Sequence, residues 1–117
     1  MIAVEVRACI AAVAIAHATQ QPVTSIYDHE NAVHHDISAT FNGDTLLGYD
    51  LQRASKLTGT LPDIYDTDRS GYFSLKKNGQ YSGYDHPSKT HFNIVVTGTS
   101  ASFYDHDAKV WQQYSLA

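Results

Sequence analysis

The chain has little of several residue types that define common protein classes. Cys9 is its single cysteine among 117 residues, so the sequence excludes an internal disulfide framework and any cysteine-based zinc site. Charged residues make up 17% of the chain and hydrophobic residues 43%, a composition that excludes an intrinsically disordered protein. Eight Lys and Arg residues are outnumbered by twelve Asp and Glu residues, and the net charge of −4 argues against nucleic-acid binding.

Catalytic motifs and long hydrophobic runs are also absent. The chain contains no Gly-x-Ser-x-Gly, no phosphate-binding glycine loop and no His-x-x-x-His. We therefore predict no catalytic residues, no metal ligands and no cofactor. The longest apolar run, residues 8–16, is shorter than the roughly 20 apolar residues of a membrane-spanning helix, so we expect no membrane span.

The first 21 residues differ from the rest of the chain. Residues 3–21 hold no Gly or Pro and are rich in Ala, and Pro22 then ends the pattern, which predicts a helix. Residues 8–16 cover every face of that helix with apolar side chains, so we expect it to be enclosed. A secretory signal ending near residues 16–18 is the alternative, but Glu5 stands where a basic leader belongs. A retained helix and the lack of disulfides favour a cytoplasmic location.

Residues 22–117 repeat the dipeptide Tyr-Asp. The five copies are spaced 16 to 22 residues apart: Tyr27-Asp28, Tyr49-Asp50, Tyr65-Asp66, Tyr84-Asp85 and Tyr104-Asp105. Each follows a short β-prone stretch and precedes four loop-like residues and a second β-prone stretch. An Asp at such a turn accepts hydrogen bonds from loop N–H groups. We predict five hairpins with about ten strands, forming one domain with the helix over residues 1–117.

The hairpin model fixes which residues lie opposite each other. On one face the pairs are Tyr27–His34, Tyr49–Lys56, Tyr65–Tyr72, Tyr84–His91 and Tyr104–Trp111. On the other face they are Ile26–His35, Gly48–Leu57, Ile64–Phe73, Gly83–Phe92 and Phe103–Gln112. Because side chains alternate across a strand, the second, drier face is expected to point toward the core.

The drier face predicts the architecture. Gly48 and Gly83 stand where other hairpins carry bulky residues, and we interpret them as making room for the helix backbone. The sequence thus predicts a mainly β protein, an antiparallel meander that forms a barrel around the N-terminal helix. The alternative is a closed two-sheet sandwich with the helix over one open end.

The tandem Tyr-Asp units resemble the YD repeats, of the RHS type, in large bacterial shell-forming proteins. The resemblance covers residues 27–117. Those repeats carry a Gly-Arg pair after the turn, where this chain has, for example, Ala32-Val33 and Lys109-Val110. No function is carried over from that family.

The wetter face supplies the candidate ligand-binding residues. They are Tyr27, His34, Tyr49, Tyr65, Tyr72, Tyr84, His91, Tyr104 and Trp111. Planar side chains with polar tips suit sugars or flat ligands. The alternative is that these cross-strand pairs only stabilise the hairpins.

The sequence also contains clusters of aspartate and histidine residues, which we do not interpret as a catalytic or metal site. His34 and His35 are adjacent on a strand, so they point to opposite faces and cannot bind one metal ion together. Asp63, Asp66 and Asp68 surround one turn, where we expect solvated carboxylates with ordinary pKa values. His17 is expected to form a hydrogen bond at the end of the helix.

These features together predict a non-enzymatic binding or self-assembling β-module that recognises its partner through the Tyr/His/Trp face or the hairpin tips. One alternative is a small hydrolase-like enzyme with an Asp/His site at one end of the barrel. Another is an assembly unit that donates its N-terminal helix to a neighbouring copy. The expected partner is an unidentified ligand, another protein or a second copy of the chain.

Overall fold

The computed structural model describes all residues from Met1 to Ala117. One helix, α1 (Val4–Thr19), precedes eleven strands. The strands are β1 (Ile26–Asp28), β2 (Val33–His35), β3 (Ile37–Asn42), β4 (Thr45–Asp50), β5 (Ser55–Thr60), β6 (Asp63–Asp66), β7 (Gly71–Asn78), β8 (Gln80–Asp85), β9 (Thr90–Thr97), β10 (Ser100–Asp105) and β11 (Val110–Leu116). The predicted mainly β fold with an N-terminal helix is confirmed. The eleventh strand arises because Asp36 divides one predicted strand into β2 and β3.

All eleven strands belong to a single antiparallel sheet with the order β2-β1-β11-β10-β9-β8-β7-β6-β5-β4-β3. Its two edge strands, β2 and β3, are consecutive in the chain. Val23, which precedes β1, exchanges two backbone hydrogen bonds of 2.9 Å with Ala39 of β3. This bridge brings the edges of the sheet together, so the sheet forms a nearly closed barrel and not a two-sheet sandwich.

The register within the hairpins agrees with the sequence prediction at every position. The five pairs of the wetter face and the five pairs of the drier face all occur as predicted. The drier face is the inside of the barrel, where Ile64 and Phe73, for example, are fully buried. The Tyr-Asp dipeptide therefore defines both the turn and the sidedness of each hairpin.

The helix lies inside this barrel. Every residue from Val6 to Ala16 is at most 4% exposed, and these residues cover all faces of the helix. Five of them are alanines, whose small side chains make a thin helix that the surrounding strands can approach closely. The predicted enclosure of the helix is confirmed. The helix ends at Gln20, whose left-handed backbone (φ 53°) allows its N–H to donate to the carbonyl oxygen of Ala16.

The role predicted for the glycines is wrong. A Cβ atom at Gly83 would collide with the carbonyl oxygen of Ser74 and with the ring of Phe92, which belong to the neighbouring strands. At Gly48 the nearest atom would be the carbonyl oxygen of Ser38, at 3.1 Å. These glycines therefore give room to adjacent strands and to the Phe92 ring, and not to the helix backbone.

The five Tyr-Asp loops share one conformation. Their fourth residue has a positive φ of 48–57° in every loop: Ala32, Ala54, Ser70, Lys89 and Lys109. Their first residue donates its backbone N–H to a carbonyl oxygen of the adjacent hairpin, as His106 does to His91 at 3.0 Å. The loops therefore connect neighbouring hairpins as well as the two strands of each hairpin.

Candidate functional site

The candidate residues from the sequence form a row around the outside of the barrel, which we call the aromatic belt. It comprises the nine residues Tyr27, His34, Tyr49, Tyr65, Tyr72, Tyr84, His91, Tyr104 and Trp111. Four cross-strand ring pairs lie 4.6–5.0 Å apart between centroids: Tyr27–His34, Tyr65–Tyr72, Tyr84–His91 and Tyr104–Trp111. Tyr49 instead faces Lys56. The predicted face exists, but its nine residues encircle the molecule and do not converge on one point.

Three histidines that were not among the predicted site residues also contact the belt. His29, His86 and His106 pack edge-on against Tyr27, Tyr84 and Tyr104, with centroids 4.8–5.0 Å apart and interplanar angles of 82–89°. Each follows its tyrosine by two residues. The Asp-His repeat was visible in the sequence, but the contact depends on the loop folding back along the outer face.

Part of the belt borders a groove across β7, β8 and β9, which we call the β7–β9 groove. It has a volume of about 500 Å³. Its lining residues are Ser74, Lys76, Ser82, Gly83, Tyr84, His91, Phe92, Asn93 and His106. Only Tyr84 and His91 among them were predicted site residues.

Polar groups in the β7–β9 groove are held in place by short-range contacts. The Oγ atom of Ser74 accepts the backbone N–H of Tyr84 at 3.1 Å, which leaves its hydroxyl hydrogen free to donate. The Nε2 atom of His106 is hydrogen-bonded to Oδ1 of Asn93. The rings of His91 and His106 lie 6.5 Å apart between centroids. The groove thus offers hydroxyl, amide and imidazole groups beside an aromatic wall.

Beneath the belt, the five aspartates of the Tyr-Asp pairs form a second row, which we call the carboxylate ring: Asp28, Asp50, Asp66, Asp85 and Asp105. All five residues are buried, with at most 1% of each exposed to solvent. Arg53 connects Asp50 to Asp66, and Arg69 connects Asp66 to Asp85, with N–O distances of 2.8 Å. Arg7 of the helix contacts Asp105 at 3.0 Å. The expectation of a solvated Asp66 is wrong.

Hydrogen bonds and neighbouring arginines lower the pKa of two carboxylates of the ring, Asp66 and Asp105. Burial by itself would raise the pKa of Asp66, but hydrogen bonds from Ser55 and Arg69 and the charge of Arg53 outweigh burial and lower it. For Asp105, burial is likewise outweighed by backbone N–H donors, including that of Ile2, and by the charge of Arg7, so its pKa is lowered. The ring therefore joins the loops to the helix through charged hydrogen bonds.

Cys9 lies beside this ring. Burial raises the pKa of its thiol to about 12, against a smaller opposing effect of the nearby Arg53 guanidinium. A thiol with so high a pKa carries almost no thiolate at neutral pH and is a poor nucleophile.

At the opposite end of the barrel, the end of the helix is bound to the sheet through His17. Its Nε2 atom lies 2.8 Å from Oδ1 of Asp44, and its Nδ1 atom lies 2.7 Å from the hydroxyl oxygen of Tyr81. Burial and the charge of Asp44 raise the pKa of Tyr81 to about 12. Tyr81 is only 2% exposed, so its hydroxyl group is held as a hydrogen-bond partner and is not presented to a substrate. The Asp/His pair of the hydrolase alternative exists here without an accessible nucleophile.

The structure contains no group of three or more His, Cys, Asp or Glu side chains arranged to hold a metal ion. Its one helix is not long and apolar enough to cross a membrane. The fold and the belt define the class of protein: a nearly closed β-barrel that encloses its N-terminal helix and carries aromatic residues around its outside. No protein-family model, no curated protein and no solved structure matches the chain.

Proposed function

We propose that this protein is a non-enzymatic binding module whose ligand lies in the β7–β9 groove. The observation that carries the proposal is the combination, in one groove, of the Tyr84, His91 and His106 rings with the hydroxyl groups of Ser74 and Ser82 and the amide of Asn93. Ring faces and hydrogen-bonding groups side by side suit a hydroxyl-rich ligand, and the proposed class is a neutral carbohydrate.

The rigidity of the groove supports binding more than catalysis. All its side chains except that of His106 stand on three adjacent strands, and His106, in the loop after β10, is hydrogen-bonded to Asn93 of β9. The groove side chains then lose little conformational freedom when a ligand binds, and this favours affinity. The groove residues include no cysteine, aspartate or glutamate to serve as a nucleophile or a paired acid and base.

A titration with neutral tetrasaccharides of glucose and N-acetylglucosamine, followed by NMR, tests the proposal. We expect the resonances of Tyr84, His91 and Asn93 to shift with saturation. Tyr84→Leu should abolish these shifts because it removes the ring face. Tyr27→Leu is the matched control, since Tyr27 has equivalent histidine neighbours but lies outside the groove. An absence of saturable binding, or an equal loss in both variants, would contradict the proposal.

Self-assembly is the second candidate function, and one observation favours it. Leu47, Tyr49 and Leu51 lie on β4 and the loop after it, and they are 66%, 41% and 56% exposed. Light scattering over a range of concentrations tests this role. A wild-type mass above that of one chain, together with a single-chain mass for Leu47→Ser, would support self-assembly. A single-chain mass of the wild type at every concentration would oppose it. In both proposed roles the helix stays inside the barrel of its own chain, where Val6 to Ala16 are buried.

A further inference from the structure

A second hollow lies beside the β7–β9 groove, between β6, β7 and the loop that follows β8. It has a volume of about 630 Å³ and is lined by Asp63, Gly71, Tyr72 and His86. We propose that this hollow, which we call the β6–β7 hollow, binds an organic ammonium group. The proposal uses different residues from the carbohydrate groove and stands independently of it.

The negative charge of Asp63 is available to a ligand. Asp63 is the first residue of β6, is exposed, and takes part in none of the ion pairs of the protein. Nor does its carboxylate accept any hydrogen bond from another residue, unlike the five carboxylates of the ring. No Lys or Arg residue lines the hollow. Lys76, two residues after the Ser74 that lies opposite Asp63, lines the β7–β9 groove instead. An incoming cation would thus meet an uncompensated carboxylate.

Two tyrosine rings lie near this carboxylate: the ring of Tyr72 lines the hollow, and the ring of Tyr65 packs against that of Tyr72. Tyr72 is 49% exposed, and its ring lies 4.9 Å from that of Tyr65 with an angle of 65° between the planes. Tyr65 is two residues after Asp63 on the same strand, so both side chains lie on the outer face. The face of a tyrosine ring attracts cations, and alkylated ammonium groups are weakly hydrated enough to benefit from this attraction.

The far side of the hollow is held rigidly. A Cβ atom at Gly71 would lie 2.7 Å from the Pro87 ring, so the proline packs directly on the backbone of Gly71. The N–H of the preceding residue, His86, donates to the carbonyl oxygen of Tyr72 at 3.1 Å. The His86 ring is also held edge-on against Tyr84, at 4.8 Å. The hollow therefore exists before a ligand arrives.

The same features argue against other ligand classes. The hollow offers a metal ion only one carboxylate and one histidine, Asp63 and His86, which are fewer ligands than a protein metal site supplies. Asp63 would repel an anionic ligand. A small cation that combines charge with apolar surface, such as a trimethylammonium group, matches a carboxylate beside tyrosine rings.

The experiment compares choline with 3,3-dimethylbutanol, a neutral molecule of nearly the same shape. Each is titrated into the intact chain at about pH 8, and the signals of Tyr65, Tyr72 and His86 are followed by NMR. We expect choline to bind with a dissociation constant in the millimolar range, since the site is open to solvent. The neutral molecule should bind at least about fivefold more weakly.

Two substitutions locate the binding. Asp63→Asn should weaken choline binding at least about fivefold because it removes the charge and keeps the shape. Glu30→Gln is the matched control: it removes an exposed carboxylate from the first hairpin loop, away from the hollow, and should leave binding unchanged. Equal affinity for choline and the neutral molecule, the same effect in both variants, or no saturable shift at Tyr72 would overturn the proposal.

Discussion

At the scale of single residues, the Tyr-Asp dipeptide has two roles because neighbouring side chains on a strand point to opposite faces. In each hairpin the tyrosine points outward to the aromatic belt and the aspartate points inward to the carboxylate ring. Asp28 shows the local role of such an aspartate, since its Oδ1 accepts the backbone N–H groups of Glu30 and Asn31 at 3.0 and 3.1 Å. In each copy of the dipeptide, the tyrosine thus contributes to the outer surface and the aspartate stabilises the turn.

Asp66 tests the energetic importance of the ring. It contacts Arg53 and Arg69, both at 2.8 Å, from a side chain that is 1% exposed. Asp66→Asn leaves two arginines, whose side chains are only 9% and 16% exposed, short of a partner, and we expect a loss of about 3 kcal/mol in the free energy of unfolding. Asp68→Asn is the control, because Asp68 contacts Arg53 from a side chain that is 44% exposed and should cost less than about 1 kcal/mol. Urea denaturation measures both, and similar losses would contradict the role of the ring.

The stabilising effect of Asp66 and Asp105 also depends on pH, and a comparison of the wild type with Asp66→Asn tests this dependence. The folded-state pKa values of Asp66 and Asp105 lie below the ordinary 3.8, so their stabilising effect is complete above that pH. It is lost as the pH falls below 3.8 through the folded-state values. We expect the urea midpoint of the wild type to fall in this acidic range. The midpoint of Asp66→Asn should fall less, since one of the responsible groups is gone, and a parallel fall would count against the assignment.

At the scale of elements, the hairpin loops depend on a backbone conformation that their residues tolerate poorly. The fourth loop residue has a positive φ although none of the five is a glycine. A left-handed conformation costs a residue with a side chain roughly 1 kcal/mol. The regularity of the loops is therefore imposed by the Asp hydrogen bonds and the neighbouring hairpin.

Lys89, with φ of 55°, allows this cost to be measured. We expect Lys89→Gly to be more stable than Lys89→Ala by about 0.5–1 kcal/mol, because glycine adopts the conformation without strain. The alanine variant is the reference, since it also removes the long side chain but keeps the Cβ atom. Thermal unfolding of the pair gives the difference. A glycine variant that is less stable than the alanine variant would show that the loop is not strained.

At the scale of the whole molecule, the helix is oriented in the barrel by contacts at both ends. Near its start, the backbone N–H of Ile2 and the Arg7 side chain both donate to Oδ2 of Asp105, at 2.9 and 3.0 Å. The positive end of the helix dipole thus lies at the carboxylate ring, where it is stabilised. Near its end, His17 connects the helix to Asp44 and Tyr81. A helix without a polar face therefore still has a defined direction.

The fit between helix and barrel depends on alanine. Ala12 is completely buried, whereas Ala18 of the same helix is exposed. We expect Ala12→Leu to lower the free energy of unfolding by about 1–3 kcal/mol because the barrel has no room for the larger side chain. Ala18→Leu, the matched control, should change it by less than about 0.5 kcal/mol. Denaturant titration distinguishes them, and a harmless Ala12→Leu would mean that the helix is loosely enclosed.

Much of this fold could be predicted because the repeat supplied a register. The spacing after each Tyr-Asp pair placed Tyr84 opposite His91 and Phe103 opposite Gln112, as the structure has them. The burial of Asp66 could have been predicted as well, since the alternation that places Tyr65 outside places Asp66 inside. It was missed because a residue beside a turn was assumed to be solvated. The grooves were less accessible to prediction, since His106 comes close to His91 only through contact between two hairpins.

The sequence by itself determined the five hairpins, their sidedness and the need to enclose the apolar helix, because these follow from local turn chemistry and from side-chain periodicity. Only the tertiary structure decided how the hairpins sit beside one another. That arrangement paired Arg53 and Arg69 with aspartates of two loops each, and it placed the carbonyl oxygen of Ser74 against Gly83. It also created the hollow beside Asp63. Contacts of this kind depend on the curvature of the closed sheet, which no single stretch of the chain encodes.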